Sequence, residues 1–353
     1  YCVTVLDNLS PQIHGNDPSV DSPLYLSIVD KVRFIKGSVT SREDWEKALE
    51  DQDAVIHLAA ETGTGQSMYQ IQHYIDVNVG GTALLLDILA NRKYLVNKLI
   101  VASSRAIYGE GKYRCPKHGV VYPVARLDDD MAAGDFSCKC PVCRREVELL
   151  PTTEDSLLHP TSVYGIAKQT QEQLVLTVGQ SLGIAAVAYR YQNVYGPGQS
   201  LSNPYTGILS IFSTRIKNGK DINIFEDGKE TRDFVYIDDV AEATILGLER
   251  EEANGEVFNV GTGVLTDVMT VAQTLCRNYG INVPLTISGN YRLGDIRHNV
   301  ADITKIREKL GFEPEWDFER GMAAFTRWVN DQAVQCDKYE QSLQEMKEKG
   351  LYK

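Results

Sequence analysis

The chain has 353 residues, 43% hydrophobic and 24% charged, which is ordinary for a folded globular protein with room for two lobes. A net charge of −12 argues against a nucleic-acid or anionic-membrane surface, leaving only local cations that could hold a phosphate. No apolar run approaches the about 20 residues that span a bilayer and no secretory leader is visible, so the cytoplasm is the expected location.

Apolar runs then alternate with helical patterns in the order of a parallel α/β protein. Residues 3–10 and 32–37 predict two strands, and Trp45 opens a short amphipathic helix. Residues 54–60 predict another strand, whose small end, Ala59-Ala60, allows a ligand backbone to come close. His57 in that strand reads as a packed residue. A helix over 74–91 carries Asn78-Val79-Gly80-Gly81-Thr82. Residues 98–104 predict a buried strand ending in Ser103 and Ser104, and 105–109 form the turn after it. Ligands of a parallel sheet bind outside the carboxyl ends of its strands, where Ser104 could hold a substrate hydroxyl.

Tyr164-Gly165-Ile166-Ala167-Lys168 places a phenol and an ammonium one helical turn apart on the same face. A free phenol titrates near about 10 and is a poor base at neutral pH, but a nearby ammonium favours its ionised form. Residues 187–193 predict a strand ending in Asn193. A Gly-, Pro- and Asn-rich loop follows over 196–207, then a helix over 208–217 and a strand over 222–225. The run 228–240 leads to a last buried strand at 257–261. From Asp331 onward the tail is charged and predicts a surface helix.

A strand ending in Ser104, a helix bearing Tyr164 and Lys168, and a strand ending in Asn193 resemble the extended short-chain dehydrogenase/reductase family, in particular its nucleotide-sugar epimerases and dehydratases. The resemblance runs from Val3 to about Trp328. It implies a Rossmann-type doubly wound parallel sheet over 1–195, rejoined by 233–262. A smaller α/β substrate lobe would take 196–232 and 263–330, with a Cys-rich insertion at 112–149 and a charged tail at 331–353. The implied cofactor is NAD, held by Asp7, Asn8, Ser38, Leu58, Ala59, Ala60, Asn78, Tyr164 and Lys168. Ser38 stands where the family usually has an Asp. The implied substrate is a nucleotide-diphosphate sugar, met by Ser104, Arg105, Asn193, Arg232, Arg292, Asp295 and Arg297. The family often pairs through two helices, here those around 75–89 and 162–182, so a homodimer is expected. Such a domain begins with one more strand and a Gly-rich turn, and the sequence as it opens at Tyr1 reads as a truncated record of a longer protein.

Four of seven cysteines fall within 115–143. Cys115-Pro116-Lys117-His118 and Cys138-Lys139-Cys140-Pro141-Val142-Cys143 give paired knuckles suited to a tetrahedral structural zinc. Five candidates compete for four places, so either Cys138 or His118 is spare. A disulfide is the weaker reading in a reducing compartment. The cluster fills an interval between Ser104 and Tyr164 that is longer than the resemblance leads one to expect. So short an insert has too little core to order itself without a cross-link.

Related dehydratases carry an acid pair after the strand-borne hydroxyl residue, and here Arg105 and Ala106 take those places. Elimination of water is therefore disfavoured, and the expected reaction is C4 epimerisation through a 4-keto sugar with Ser104, Tyr164 and Lys168 as the catalytic set. From a different class, the chain could be a non-catalytic nucleotide-sugar binder.

Overall fold

The structure, a computed structural model, describes residues 1–205 and 207–353. The strands in chain order are β1 (Thr4–Asp7), β2 (Arg33–Lys36), β3 (Ala54–His57) and β4 (Lys98–Ser104). The Cys-rich insertion adds β5 (Tyr113–Cys115), β6 (Gly119–Val121) and β7 (Glu148–Leu149). Then come β8 (Ala185–Tyr191), β9 (Asn193–Tyr195), β10 (Ile222–Ile224), β11 (Thr231–Tyr236), β12 (Val257–Val260), β13 (Leu265–Asp267) and β14 (Leu285–Ile287).

The main sheet is parallel, in the order β12-β8-β4-β3. All seven residues of β4 are buried, which is why its sequence is an almost unbroken apolar run. Registry pairs Ser104 with Tyr191, so both strands end on the same rim. β1 and β2 form a separate parallel pair. Among the described residues no strand pairs with the outer edge of β3, and Ile56 and Leu58 are 40% and 58% exposed there.

The helix Val163–Leu182 crosses from β4 to β8. Ser162 caps its start by accepting from Gly165 N, and Gly183 ends it in the left-handed conformation. Its buried face repeats at three and four residues, through Lys168, Gln171, Glu172, Val175 and Gly179. Glu172 takes Arg190 of β8 at 3.0 and 2.6 Å and the Ser103 hydroxyl of β4 at 2.6 Å, fixing the helix to both strands.

A second core, around Phe212, Ile224, Leu275 and Phe325, forms the smaller lobe. β11 joins the two cores, because alternate residues of a strand face opposite ways. Phe234 and Tyr236 enter the small lobe while Val235 enters the sheet core. Asp233 is fully buried at the junction and accepts from Thr262 N, Thr262 Oγ1, Gly263 N and Ala301 N at 2.8 to 3.2 Å.

The structure departs from expectation in four places. The helix expected from Trp45 starts at Arg42, because Ser41 caps it on Asp44 N. Within 74–91 the backbone widens into a π-helical stretch, Ile75–Gly80, that centres on buried Asn78. Ala301, Ile303, Ile306 and Phe312 pack on Val260 and Phe258, so this part of 263–330 belongs to the cofactor-side core and not to the substrate lobe. The tail is not a free surface helix. In Tyr339–Glu348, Tyr339, Leu343 and Met346 are buried against Tyr69, Ile211 and Phe225, because the charges of this amphipathic helix lie on one face only.

Candidate functional site

At the end of β4, Ser104 caps the following turn by accepting from Ala106 N at 3.2 Å. Its hydroxyl lies close enough to the Tyr164 phenol to favour the ionised form. The crossover helix is seated by two close approaches. Gly165 has no room for a Cβ, which would lie 2.7 Å from Ala106 O and 2.9 Å from Pro160 Cβ. Tyr164 N donates to Ser67 Oγ at 3.1 Å. Gly109, at φ +62°, lets the turn after β4 pass under His159 O, with which any side chain would collide.

The electrostatics differ from expectation at one point. Burial raises the Tyr164 pKa above its ordinary value, and the Ser104 hydroxyl and the Arg105 guanidinium pull against it. Lys168 does not contribute. Its Nζ turns to Ala102 O at 2.9 Å, and burial pushes its pKa down to about 7. The i,i+4 spacing brings the two side chains to one face, but the lysine is held by the strand beneath.

Lys168 is 3% exposed, and Ala102 O is its one hydrogen-bond partner among the described residues. A buried ammonium with two spare donors is costly unless a ligand takes them. Ribose hydroxyls of a dinucleotide suit those donors, so the residues present fit NAD. Of the other residues implied for that cofactor, Asp7 ends β1 with Asn8 after it, Ser38 follows β2, and Leu58, Ala59 and Ala60 follow β3. The Asp7 carboxylate accepts from Leu9 N at 2.7 Å and lies 3.8 Å from His14 Nε2, and Asn8 Oδ1 accepts from Ser10 N at 3.1 Å. Ser38 N donates to Asp44 at 2.9 Å, so Asp44, unremarked in the sequence, supplies a carboxylate to that loop. Leu58 is exposed, with Ala59 and Ala60 partly so. Asn78 grips the Glu61 backbone at both N and O, at 2.7 and 3.0 Å, and shapes the loop after β3. His57 is packed as expected, bonded to Thr82 Oγ1 at 2.9 Å, with burial holding its pKa down to about 3.

A second set comprises the residues expected to meet a sugar diphosphate. Arg105 Nε donates to Asn193 Oδ1 at 3.2 Å. Burial, and then neighbouring Arg232, lower the Arg105 pKa to about 10, while Asp295, Tyr164 and Glu110 oppose that shift. Ser104, Arg105, Tyr164, Asn193, Arg232 and Asp295 therefore converge. Arg292 pairs with Asp295 at 2.9 Å, lies over the Phe225 ring and keeps a buried Nε without a hydrogen-bond partner. Arg297 is different. Its guanidinium is spent on Glu226 and Asp227 at 2.8 and 2.7 Å. Arg232 donates to the carbonyls of Thr231, Ile296 and Arg297 at 2.9 to 3.0 Å, bracing that loop.

In the insertion, Cys115, His118, Cys140 and Cys143 present four donor atoms within 4.8 Å of one another. Cys115 and Cys143 Sγ are 3.8 Å apart, and His118 Nδ1 lies 3.6 and 3.4 Å from Cys115 and Cys140 Sγ. A tetrahedron with metal–sulfur bonds of about 2.3 Å has edges of about 3.8 Å, so the donor set fits such an ion. Cys138 lies outside it. Its thiol donates to Glu110 Oε2 at 3.3 Å, and it is the spare ligand of the five. The described cysteines are all free thiols.

A parallel sheet with a buried lysine one helical turn from a tyrosine, and a serine at the adjoining strand end, defines an enzyme that works on a ligand at the strand ends with a dinucleotide. The chain belongs to the NAD-dependent epimerase/dehydratase family, whose sequence profile matches residues 1–125 and 141–261. The unmatched interval, 126–140, lies inside the Cys-rich insertion. A dTDP-L-rhamnose 4-epimerase of Burkholderia thailandensis is 37% identical over 92% of this chain and 87% of its own length. The Thermotoga maritima UDP-glucose 4-epimerase, solved with UDP-glucose, superposes with a TM-score of 0.73 at 29% identity, covering 94% of this chain and 91% of its own. A Bacillus cereus UDP-glucuronic acid 4-epimerase, solved with UDP-glucuronic acid and NAD, gives 0.73 at 25% identity and the same coverages.

Proposed function

We propose that this protein inverts C4 of a nucleotide-diphosphate sugar, with dTDP-L-rhamnose as its substrate. The single observation that carries the reading is the convergence of Ser104, Tyr164 and buried Lys168 beside a guanidinium, Arg105, where a dehydratase would carry acids. The likeness to the Burkholderia enzyme over most of both chains supports the choice of sugar. Tyr164 Oη removes the proton of the C4 hydroxyl and later returns one to the oxygen. Ser104 holds that oxygen by hydrogen bond, and the Arg105 cation favours the ionised phenol. Bound NAD would supply the hydride chemistry at C4. Lys168 orients the cofactor through its two spare donors. Arg292, with Asp295 fixing its direction, holds the diphosphate, for which a planar guanidinium is suited. The 4-keto sugar turns about that tether, so hydride return to its other face inverts the centre.

The proposal includes one structural zinc on Cys115, His118, Cys140 and Cys143, outside the chemistry because four protein ligands leave no open position. It also includes a cytoplasmic homodimer, its helices 71–91 and 163–182 presenting Ile71 and Ile166, which are 52% and 49% exposed. No helix among the described residues is long and apolar enough to cross a membrane. The test is NMR of NAD-loaded enzyme with dTDP-L-rhamnose, UDP-glucose and UDP-glucuronate in turn. The C4 epimer should accumulate from the first. Inversion of a UDP-sugar alone would move the assignment to that sugar, and inversion of none would leave a binding protein.

A further inference from the structure

Residues 126–140, which the family profile leaves unmatched, do not form a detached finger. They contribute Arg126, whose side chain is 3% exposed. Its Nη2 donates to Asp295 O at 2.9 Å, and its Nη1 donates to Glu226 Oε2 at 2.7 Å and Phe136 O at 3.3 Å. Its Nε meets Glu110 Oε1 at 3.2 Å as a charge contact without hydrogen-bond alignment. Glu226 is shared with Arg297 Nη1 at 2.8 Å, and Arg297 N donates to Glu110 Oε2 at 2.8 Å. Two buried carboxylates, the Arg126 guanidinium and Arg297, through its guanidinium on Glu226 and its backbone N on Glu110, thus close a ring, and Arg126 is the one member from the insertion. Buried charges of this kind are tolerated only when the set is complete.

The loop 291–297, which carries Arg292 and Asp295, is gripped at both edges. On the insertion side Tyr291 bonds Asp128 Oδ1 at 2.7 Å and packs with Met131 and Phe136. On the other side Tyr291 exchanges backbone hydrogen bonds with Lys353 at 2.9 and 3.0 Å, and Leu293 N donates to Leu351 O at 2.9 Å. The loop has no strand of its own among the described residues.

We propose that Arg126 is a positioning residue for the nucleotide diphosphate, holding the 291–297 loop so that Arg292 and Asp295 face the ligand. This rests on the reading of the site as a nucleotide-sugar site. Arg126 acts through Asp295 and does not touch the substrate. The insertion is then a scaffold for affinity, and the chemical step at Tyr164 does not depend on it.

The test combines steady-state kinetics of NAD-loaded enzyme with equilibrium binding of dTDP and UDP, for wild type, Arg126→Lys and Tyr291→Phe. Lysine keeps the charge but cannot span Glu226 and Asp295 O together. Arg126→Lys should raise KM for the nucleotide sugar and Kd for the diphosphate at least tenfold, with kcat within threefold. Tyr291→Phe, which loses one hydroxyl bond to Asp128, should raise both about threefold and carries the test if Arg126→Lys does not fold. A folded Arg126→Lys with unchanged KM and Kd overturns the proposal, as does a fall in kcat with KM unchanged. If wild type binds neither dTDP nor UDP, the reading of the site fails and the proposal falls with it. If wild type binds and both variants bind equally, only the positioning role falls.

Discussion

At the scale of single residues, the site works by burying groups whose charge then matters. Tyr164 has its pKa raised by burial and is relieved only by the Ser104 hydroxyl and the Arg105 cation. Tyr164→Phe keeps the ring and the packing but removes the proton carrier. Its kcat should fall at least about 100-fold, with dTDP affinity retained, in the range general-base catalysis supplies. Lys168 allows a thermodynamic check. Burial lowers its folded pKa to about 7, whereas an unfolded lysine titrates near about 10.4. Between these values the unfolded chain binds more protons than the folded one, so this group's contribution to stability rises with pH. It stays at its full penalty below pH 7. In the unliganded protein, the stability difference between wild type and Lys168→Met should shift in favour of wild type from pH 7 to 9. The slope is at most about 1.4 kcal/mol per pH unit. Denaturant titrations of both proteins at pH 7, 8 and 9 measure it, and parallel curves would contradict it.

At the scale of elements, the crossover helix is a positioned part with little tolerance. Gly165 presses on Ala106 O, so a methyl there must push the helix away from the turn that carries Ser104. Gly165→Ala should lower kcat about tenfold or more while the protein stays folded, because small displacements of a catalytic group are costly. Wild-type kcat in that variant would show that the contact is slack. The insertion has its own three-stranded sheet, β6-β5-β7, and gathers Cys115, His118, Cys140 and Cys143 in one cluster. Purified protein never exposed to chelator should contain about one zinc per chain. Removing it should make residues 112–149 sensitive to protease while Val163–Leu182 remains protected, since the helix is pinned by Glu172 and Arg190.

At the scale of the whole molecule, two lobes share β11 and are locked where Asp233 gathers donors from 262, 263 and 301. Asp233→Asn would turn an amide NH2 toward a donor. The expected cost is about 2–3 kcal/mol of unfolding free energy, read by denaturant titration. The tail closes the same assembly from outside. Glu345 takes hydrogen bonds from Tyr69 of one lobe at 3.5 Å and Tyr205 of the other at 2.6 Å. The insertion, the 291–297 loop and the C-terminal residues meet at one edge of the substrate lobe, though they lie far apart in sequence.

The strands and the shared face of Tyr164 and Lys168 were legible in the sequence because each depends on local chemistry. A short apolar run such as 99–102, closed by two serines and a turn, reads as a buried strand, and Tyr164 and Lys168 share a face by helical period alone. The four-ligand cluster was legible for the same reason, as knuckle spacing is local. Its membership was not. His118 joins and Cys138 leaves because the fold turns Cys138 toward Glu110. Only tertiary structure decided that Lys168 answers to Ala102 O, that Arg297 is consumed by Glu226 and Asp227, and that 300–312 packs in the sheet core. It also decided that the charged tail docks. Each of these depends on which partner arrives from a distant segment. A sequence states the charge and reach of a side chain, and the fold determines what it meets.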